Sequence, residues 1–298
     1  MTEPFFFGVP LLARRMSRDW PLTEHLFGLM LRSLLAQTDP DFRMFLAAHD
    51  VPESWSRVAR DARFTLVKAD WAPGSVTAAN DDGGMKKWLI KQAVRGSGGG
   101  LLMFVDADDW VPRGLVQAAR ATIGREDVGA IVAEGVALDY ASLCVAPLPI
   151  GGGFDQHFAE LCGSCTIARL APMDDLPLRY DPHGVLGSHH RWEEAAAAAG
   201  IPLRRLPVQG LYMMGTGLNH SETEGPFTSW RRALTARVRS IGTPVADDLL
   251  ADYGQTPGEL RPGRAPPPPI MPPGRSTSGR PDRGPSFPAF PSGSAGRG

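Results

Sequence analysis

Short apolar, β-rich runs alternate with helix-spaced runs along the first two hundred residues, and few architectures accept that rhythm. "PFFFGVPLL" reads as a buried strand, and "PLTEHLFGLMLRSLLAQ" as a helix with Leu26, Leu29, Met30, Leu34 and Leu35 at helical spacing. "FRMFLAAHD" is a second strand, "SWSRVARD" a short helix, and "RFTLVKAD" a third strand. "GGMKKWLIKQAVRG" reads as a helix with Met85, Trp88, Leu89 and Val94 as its apolar face, ended by Gly96. "LLMFVD" is the fourth strand, "RGLVQAARATIG" the next helix, and "DVGAIVAEGVAL" one further strand. Such alternation predicts an α/β fold of parallel strands with right-handed crossovers and helices on both faces. Ligands of such sheets bind at the carboxyl ends of the strands. Asp50, Asp70 and Asp106 all stand at such ends, which predicts three acids lining a single crevice.

The chain has 298 residues and is 43% hydrophobic, enough for one sizeable core. A net charge of −1 gives no reason to expect nucleic acid as a partner. Three cysteines exclude a full disulfide framework and make a reduced, cytoplasmic setting the expectation. In "MTEPFFFGVPLLARRMSR" the charges follow the apolar run, so it does not read as a signal peptide. Composition changes sharply at residue 257. The segment 257–298 is mostly Pro, Gly, Ser and Arg, with six arginines against Glu259 and Asp282. Its charge of +4 leaves about −5 on the rest. We expect residues 1–256 to form the folded domain, with 257–298 a disordered tail of polyproline II character. Peripheral membrane association through the basic tail is a further expectation.

"LLMFVDADDW" crowds Asp106, Asp108 and Asp109 at the mouth of a buried strand. Like charges in a low-dielectric neighbourhood repel. Residues two apart share a face, so Asp106 and Asp108 can grip one ion, and oxygen ligands favour Mg2+ or Mn2+. The alternative is that Asp109 caps the helix near Pro112 while the other acids face water. Trp110 stands where an EF-hand needs its third acid, so that loop is excluded.

"LRSLLAQTDPDFRMFLAAHD" followed by "FVDADDWV" resembles the nucleotide-sugar domain of GT-A glycosyltransferases, in particular the family 2-like group, over roughly residues 5–222. The resemblance implies a Rossmann-like, mostly parallel sheet, with a nucleotide-sugar half at about 1–135 and an acceptor half at 136–256. It implies that Asp50 contacts the nucleobase or its ribose. Asp106 would hold the ribose or the metal, and Asp108 would ligate Mn2+ or Mg2+ directly. "DDGGMKK" resembles the family's basic segment, which puts Lys86 and Lys87 on the diphosphate; a solvated helix face is the other reading. Arg14 and Arg15 are weaker candidates for the same role.

The second half departs from the family. Placing Gly200 on the family's helix-ending glycine puts Ser188 and His189 where its acidic pair stands. A histidine near its normal pKa can take a hydroxyl proton at neutral pH, which makes His189 the candidate base and Glu193 or Glu194 the alternative. Polar residues of a first helical turn are the plainer reading. "GTGLNHSE" resembles the family's late histidine and makes His220 a candidate nitrogen ligand of the metal. Cys162 and Cys165 form a lone CxxC without zinc partners and read as buried strand cysteines. Gly151 to Gly153 read as a hinge, and "GSGGG" as a loop and not a P-loop. The expectation is therefore metal-dependent transfer of a sugar from a nucleotide-diphosphate sugar to a hydroxyl of a saccharide, lipid or protein acceptor. A nucleotidyltransferase, a metal hydrolase using His183, His189, His190 and His220, and a non-catalytic sugar-nucleotide-binding protein are the alternatives.

Overall fold

The computed structural model describes residues 3–73, 81–172, 182–219, 222 and 227–260. Its strands are β1 (Phe5–Pro10), β2 (Arg43–Ala48), β3 (Phe64–Lys68), β4 (Gly100–Phe104), β5 (Gly129–Ile131), β6 (Gly135–Asp139), β7 (Cys144–Pro147), β8 (Thr166–Leu170), β9 (Leu203–Arg205), β10 (Gly210–Met214) and β11 (Thr243–Pro244). A seven-stranded sheet has the order β3-β2-β1-β4-β8-β5-β9, and a four-stranded sheet the order β10-β6-β7-β11. The first four strands are parallel, as the alternation predicts. Strand β8 departs from it. It inserts antiparallel between β4 and β5, so the large sheet is mixed.

The side-chain alternation of β1 explains the two-faced core. Phe5, Phe7 and Val9 pack with Phe27 and Met30 of helix α1 (Trp20–Leu35) and with Leu115 of α3 (Leu115–Thr122). Phe6 faces the other way, among Phe45, Leu102, and Ile90 and Val94 of α2 (Asp81–Gly96). A Cβ on Gly8 would lie 2.7 Å from the Ile90 side chain, so the glycine lets α2 press against the sheet. Beyond these, α4 (Phe158–Leu161), α5 (Pro182–Val185), α6 (Trp192–Ala199) and α7 (Thr228–Ile241) belong to the second half.

Several expectations are corrected. The run "DVGAIVAEGVAL" is not one strand: it breaks at residues 132–134, sending β5 to the large sheet and β6 to the small one. Helix α2 does not bury Met85 and Trp88, which are 46% and 54% exposed. Its inward stripe is Lys86, Ile90 and Val94, spaced one helical turn apart. Burying a lysine is possible because Asp82, one turn earlier, and the Leu11 carbonyl meet its charge. The short helix expected in "SWSRVARD" is a 3-10 turn around Trp55 (Glu53–Arg57), and the cysteines Cys162 and Cys165 lie in the turn before β8, not in a strand.

Residues 257–260 are folded and not part of the tail. Leu260 is buried, its carbonyl accepts from the Tyr140 hydroxyl at 2.7 Å, and Glu259 pairs with Arg32. The tail from 261 lies outside the described residues. No helix among the described residues is long and apolar enough to cross a membrane.

Candidate functional site

Strand β4 delivers the acidic loop, and three neighbours fix it. The last sheet contact is Val105 N–H to the Gly8 carbonyl at 2.9 Å; the chain then turns through an Asp109 N–H bond to the Asp106 carbonyl at 3.1 Å. From α1, Ser33 Oγ accepts from Val111 N–H at 3.2 Å. Gln37, just past the end of α1, accepts from Val116 N–H at 3.2 Å and donates to the Pro112 carbonyl at 2.9 Å. Thr38 N–H reaches the Arg113 carbonyl at 2.8 Å. The phrase "SLLAQT" is therefore a clamp on the backbone that follows the acids. From the turn before β8, Ser164 Oγ accepts from Asp106 N–H at 2.8 Å and donates to Asp109 Oδ2 at 2.7 Å. The Cys162 thiol donates to the same oxygen at 3.2 Å. The third neighbour is β10, where Met213 N–H approaches Asp109 Oδ1 at 3.4 Å and Trp110 bridges to Leu211.

Asp109 is thus no helix cap. Gly114 occupies the N-cap of α3, and the Asp109 carboxyl is interior, 5% exposed. Burial first, and the Asp106 charge second, push its pKa up to about 7, against the pull of Ser164 and Cys162. Burial also pushes Asp108 well up, helped by the charges of Asp109 and Asp106. Neither Asp106 nor Asp108 forms an ion pair among the described residues.

These acids line a cavity of about 450 Å³ that runs from α2 to α7. Asp82, Lys86 and Lys87 line it from α2, and His189, Tyr212 and Arg231 from the second half. Lys86 is only 1% exposed; its Nζ donates to the Leu11 carbonyl at 2.7 Å and to Asp82 Oδ2 at 2.5 Å. Burial lowers its pKa and Asp82 opposes the shift. The Trp71 indole holds the other Asp82 oxygen at 3.0 Å, so Lys86 is already engaged in a structural pair. Lys87 forms no ion pair among the described residues and sits 5.5 Å from the Phe104 ring centroid.

His189 lies in a 3-10 turn (His189–Arg191) ahead of α6 and not in the helix itself. Its Nδ1 is 2.7 Å from the Ala159 carbonyl, which only accepts, so Nδ1 carries the proton and Nε2 keeps its lone pair. Burial pushes its pKa down to about 4, where the sequence suggested an ordinary value. Glu193 is held by Arg205 through two bonds of 2.6 and 3.0 Å and is not among the lining residues. Asp50 accepts from Arg14 N–H at 2.7 Å beyond β2 and lies near enough to Lys86 for its charge to act on that lysine, but of the three strand-end acids only Asp106 is among the residues that line the cavity. His220 lies outside the described residues.

Sequence reasoning missed Ser164 and Arg231. Ser164 sits inside "CGSC", where the cysteines drew the attention, and no local signal ties it to Asp109. Arg231 lies in "SWRRAL", one arginine of an arginine-rich helix.

No group of three or more His, Cys, Asp or Glu side chains among the described residues is arranged to hold a metal ion. The two carboxylates Asp106 and Asp108 still fit one of the Mg2+ kind, which takes one or two carboxylates and fills its shell with water and phosphate oxygens. The lack of a cationic partner for these half-buried carboxylates among the described residues fits the same ion.

No family model matches the chain, and no curated protein matches it. Solved structures do. A protein provisionally described as a nucleotide-diphospho-sugar transferase from Desulfovibrio desulfuricans G20 is 14% identical, with 80% of this chain and 98% of that chain covered and a TM-score of 0.37. The WbbM bifunctional glycosyltransferase is 12% identical over 69% of this chain and 39% of its own, at a TM-score of 0.39. A 4-diphosphocytidyl-2C-methyl-D-erythritol synthase is 12% identical over 79% of this chain and 100% of its own, at a TM-score of 0.33. At such identities and scores no activity carries over, and the chemistry of this chain rests on its own residues.

Proposed function

We propose that the protein is a GT-A-type glycosyltransferase that moves a sugar from a nucleotide-diphosphate sugar to an acceptor hydroxyl. The observation that carries this reading is one cavity lined by two carboxylates, Asp106 and Asp108, that form no ion pair among the described residues, and by a histidine whose Nδ1 is held by the Ala159 carbonyl. Asp106 and Asp108 would hold Mg2+ or Mn2+, with His220, which lies outside the described residues, as the candidate nitrogen ligand. The ion supplies charge neutralisation for a departing diphosphate.

The protein's own groups do the rest. Lys87 offers a cation to the diphosphate, while Lys86 keeps Asp82 and the floor of the cavity in place. Asp50 remains the candidate for the ribose or base. His189 is the base: Ala159 fixes its tautomer, so Nε2 takes the acceptor proton. A pKa of about 4 makes it a weak base in the free protein. An anionic donor bound nearby raises that value, because negative charge favours the imidazolium. Ser164 and Cys162 position the acids through Asp109. The free thiols of Cys144, Cys162 and Cys165 suit a reducing compartment.

A nucleotidyltransferase would want the arginines after β1 on its phosphates. Of Arg14, Arg15 and Arg18, only Arg18 lines the cavity, which favours the transferase of sugars.

The test is thermal stability with UDP, GDP, dTDP or CMP, with Mn2+, Mg2+ or EDTA, followed by product analysis with the matching nucleotide sugars. The expected result is a stabilisation by one nucleoside diphosphate that needs the metal and is lost in Asp108→Asn. An undiminished metal-dependent gain in that variant overturns the assignment of the acids.

A further inference from the structure

A further cavity-lining cation is Arg231, near the start of α7. Several arginines of the protein meet a carboxylate: Arg239 meets Asp139, Arg204 meets Asp127, Arg205 meets Glu193 and Arg120 meets Asp39. Arg231 makes no salt bridge among the described residues, although it lies near enough to the Glu222 carboxyl to pull that group's pKa down. Its Nη1 donates to the Tyr212 hydroxyl at 2.9 Å and to the Leu161 carbonyl at 3.2 Å. Its guanidinium carbon lies 5.4 Å from the Tyr212 ring centroid and 5.6 Å from that of Trp230. One edge of the fork is thereby fixed. Three of the five N–H groups, on Nε and Nη2, have no acceptor among the described residues. A guanidinium held in place with donors to spare suits a planar or tetrahedral oxyanion, and its ordering is done before the ligand arrives.

The supports of Arg231 also say on which side of the reaction it stands. Helix α4 holds His189 through the Ala159 carbonyl and Arg231 through the Leu161 carbonyl, two residues further on. Both side chains line the same cavity. A group bound by Arg231 is therefore carried by whichever substrate lies over α4, next to the histidine.

We propose that Arg231 binds an oxyanion, a carboxylate or a phosphate, on the acceptor, so that the acceptor is an acidic molecule. The placement on the acceptor side rests on the reading of His189 as base; the anion site itself does not.

The experiment uses three sugars of one scaffold: methyl glucoside, methyl glucuronide and glucose 6-phosphate. Their affinities are measured by calorimetry on the full chain, with and without saturating nucleoside diphosphate and Mg2+. Either charged sugar should bind at least ~10-fold tighter than the neutral one, the size expected of a charge-assisted bidentate contact. The tighter of the two identifies the oxyanion. Arg231→Gln should erase the preference while nucleoside diphosphate affinity stays within about twofold. Arg231→Lys keeps the charge without the fork and should retain only part of the preference, which also covers a glutamine variant that fails to fold. No preference in the wild type, or an unchanged one in Arg231→Lys and Arg231→Gln, overturns the proposal. So does a loss of nucleoside diphosphate affinity in Arg231→Gln, which would give the arginine to the donor. If no nucleoside diphosphate binds yet the charged sugar is preferred through Arg231, the transferase reading fails and the anion site stands.

Discussion

Replacing Asp109 by asparagine should stabilise the free protein at alkaline pH and do little at acid pH. The unfolded carboxyl titrates near 3.8, whereas burial and the Asp106 charge push the folded one up to about 7. Between these values the folded state holds a proton that the unfolded state has released. Stability therefore falls as pH rises through that window, and is flat above it. A carboxyl moved from 3.8 to about 7 works against the fold by at most about 4 kcal/mol once both states are ionised. At pH 5 the folded carboxyl is protonated and only about a third of that cost is present, so roughly 2–3 kcal/mol develops between pH 5 and 8. Asparagine has nearly the same shape, keeps an acceptor for the Ser164 hydroxyl and cannot ionise. It also relieves Asp108, whose raised pKa owes part of its shift to the Asp109 charge. Guanidinium unfolding of both proteins at pH 5 and pH 8, without divalent ions, measures the difference. The variant should overtake the wild type by about 2–3 kcal/mol more at pH 8 than at pH 5. Equal differences at the two pH values, or one of opposite sign, would refute the claim that Asp109 is an ionisable group held against its preference.

Three other outcomes are expected. Lys86→Met should cost roughly 3–5 kcal/mol of stability, because it strands Asp82 beside an apolar wall; a neutral effect on stability with a 10-fold loss of nucleoside diphosphate affinity would instead make Lys86 a ligand contact. Gly215→Ala should destabilise by more than about 2 kcal/mol, since a Cβ there would meet Asp139 Oδ1 at 1.9 Å on a backbone with φ +71°; unfolding midpoints that match the wild type would contradict it. If His189 is the base, its Ala variant should lose transfer by ~10²-fold or more. With a pKa of about 4 in the free protein, lowered by burial, the histidine stays neutral as pH falls from 7 to 5 and imposes no loss of kcat/KM over that range, whereas kcat reports the higher value of the donor-bound state. A rate profile of the wild type that breaks near 6.5 and vanishes in the variant would show that the bound donor restores an ordinary pKa.

The α/β class and the exit of "FVDADD" from a buried strand were legible because they depend on local periodicity. Strands such as β1 and β4 are apolar on both faces, and α1 repeats its apolar residues at helical spacing. The same reasoning failed on α2, where two stripes compete. Met85 and Trp88 look like a core face, yet a lysine won the inward position because Asp82 and the Leu11 carbonyl wait for it. That partnership spans 75 residues in one of its two contacts, and no window of sequence contains it.

The sequence by itself determined β1 to β4 and the helices α1 to α3 around them, and where the chain concentrates acid. Those are properties of spacing and composition, which act between neighbours along the chain. Only the tertiary structure decided that Ser164 ties Asp106 to Asp109, that β8 runs antiparallel beside β4, and that carbonyls of α4 anchor both His189 and Arg231. It also decided the charge states, because the pKa values of Asp109 and His189 depend on what excludes water from them. Desolvation is set by packing from remote segments, and a carboxyl or an imidazole has no record of it in its own neighbourhood.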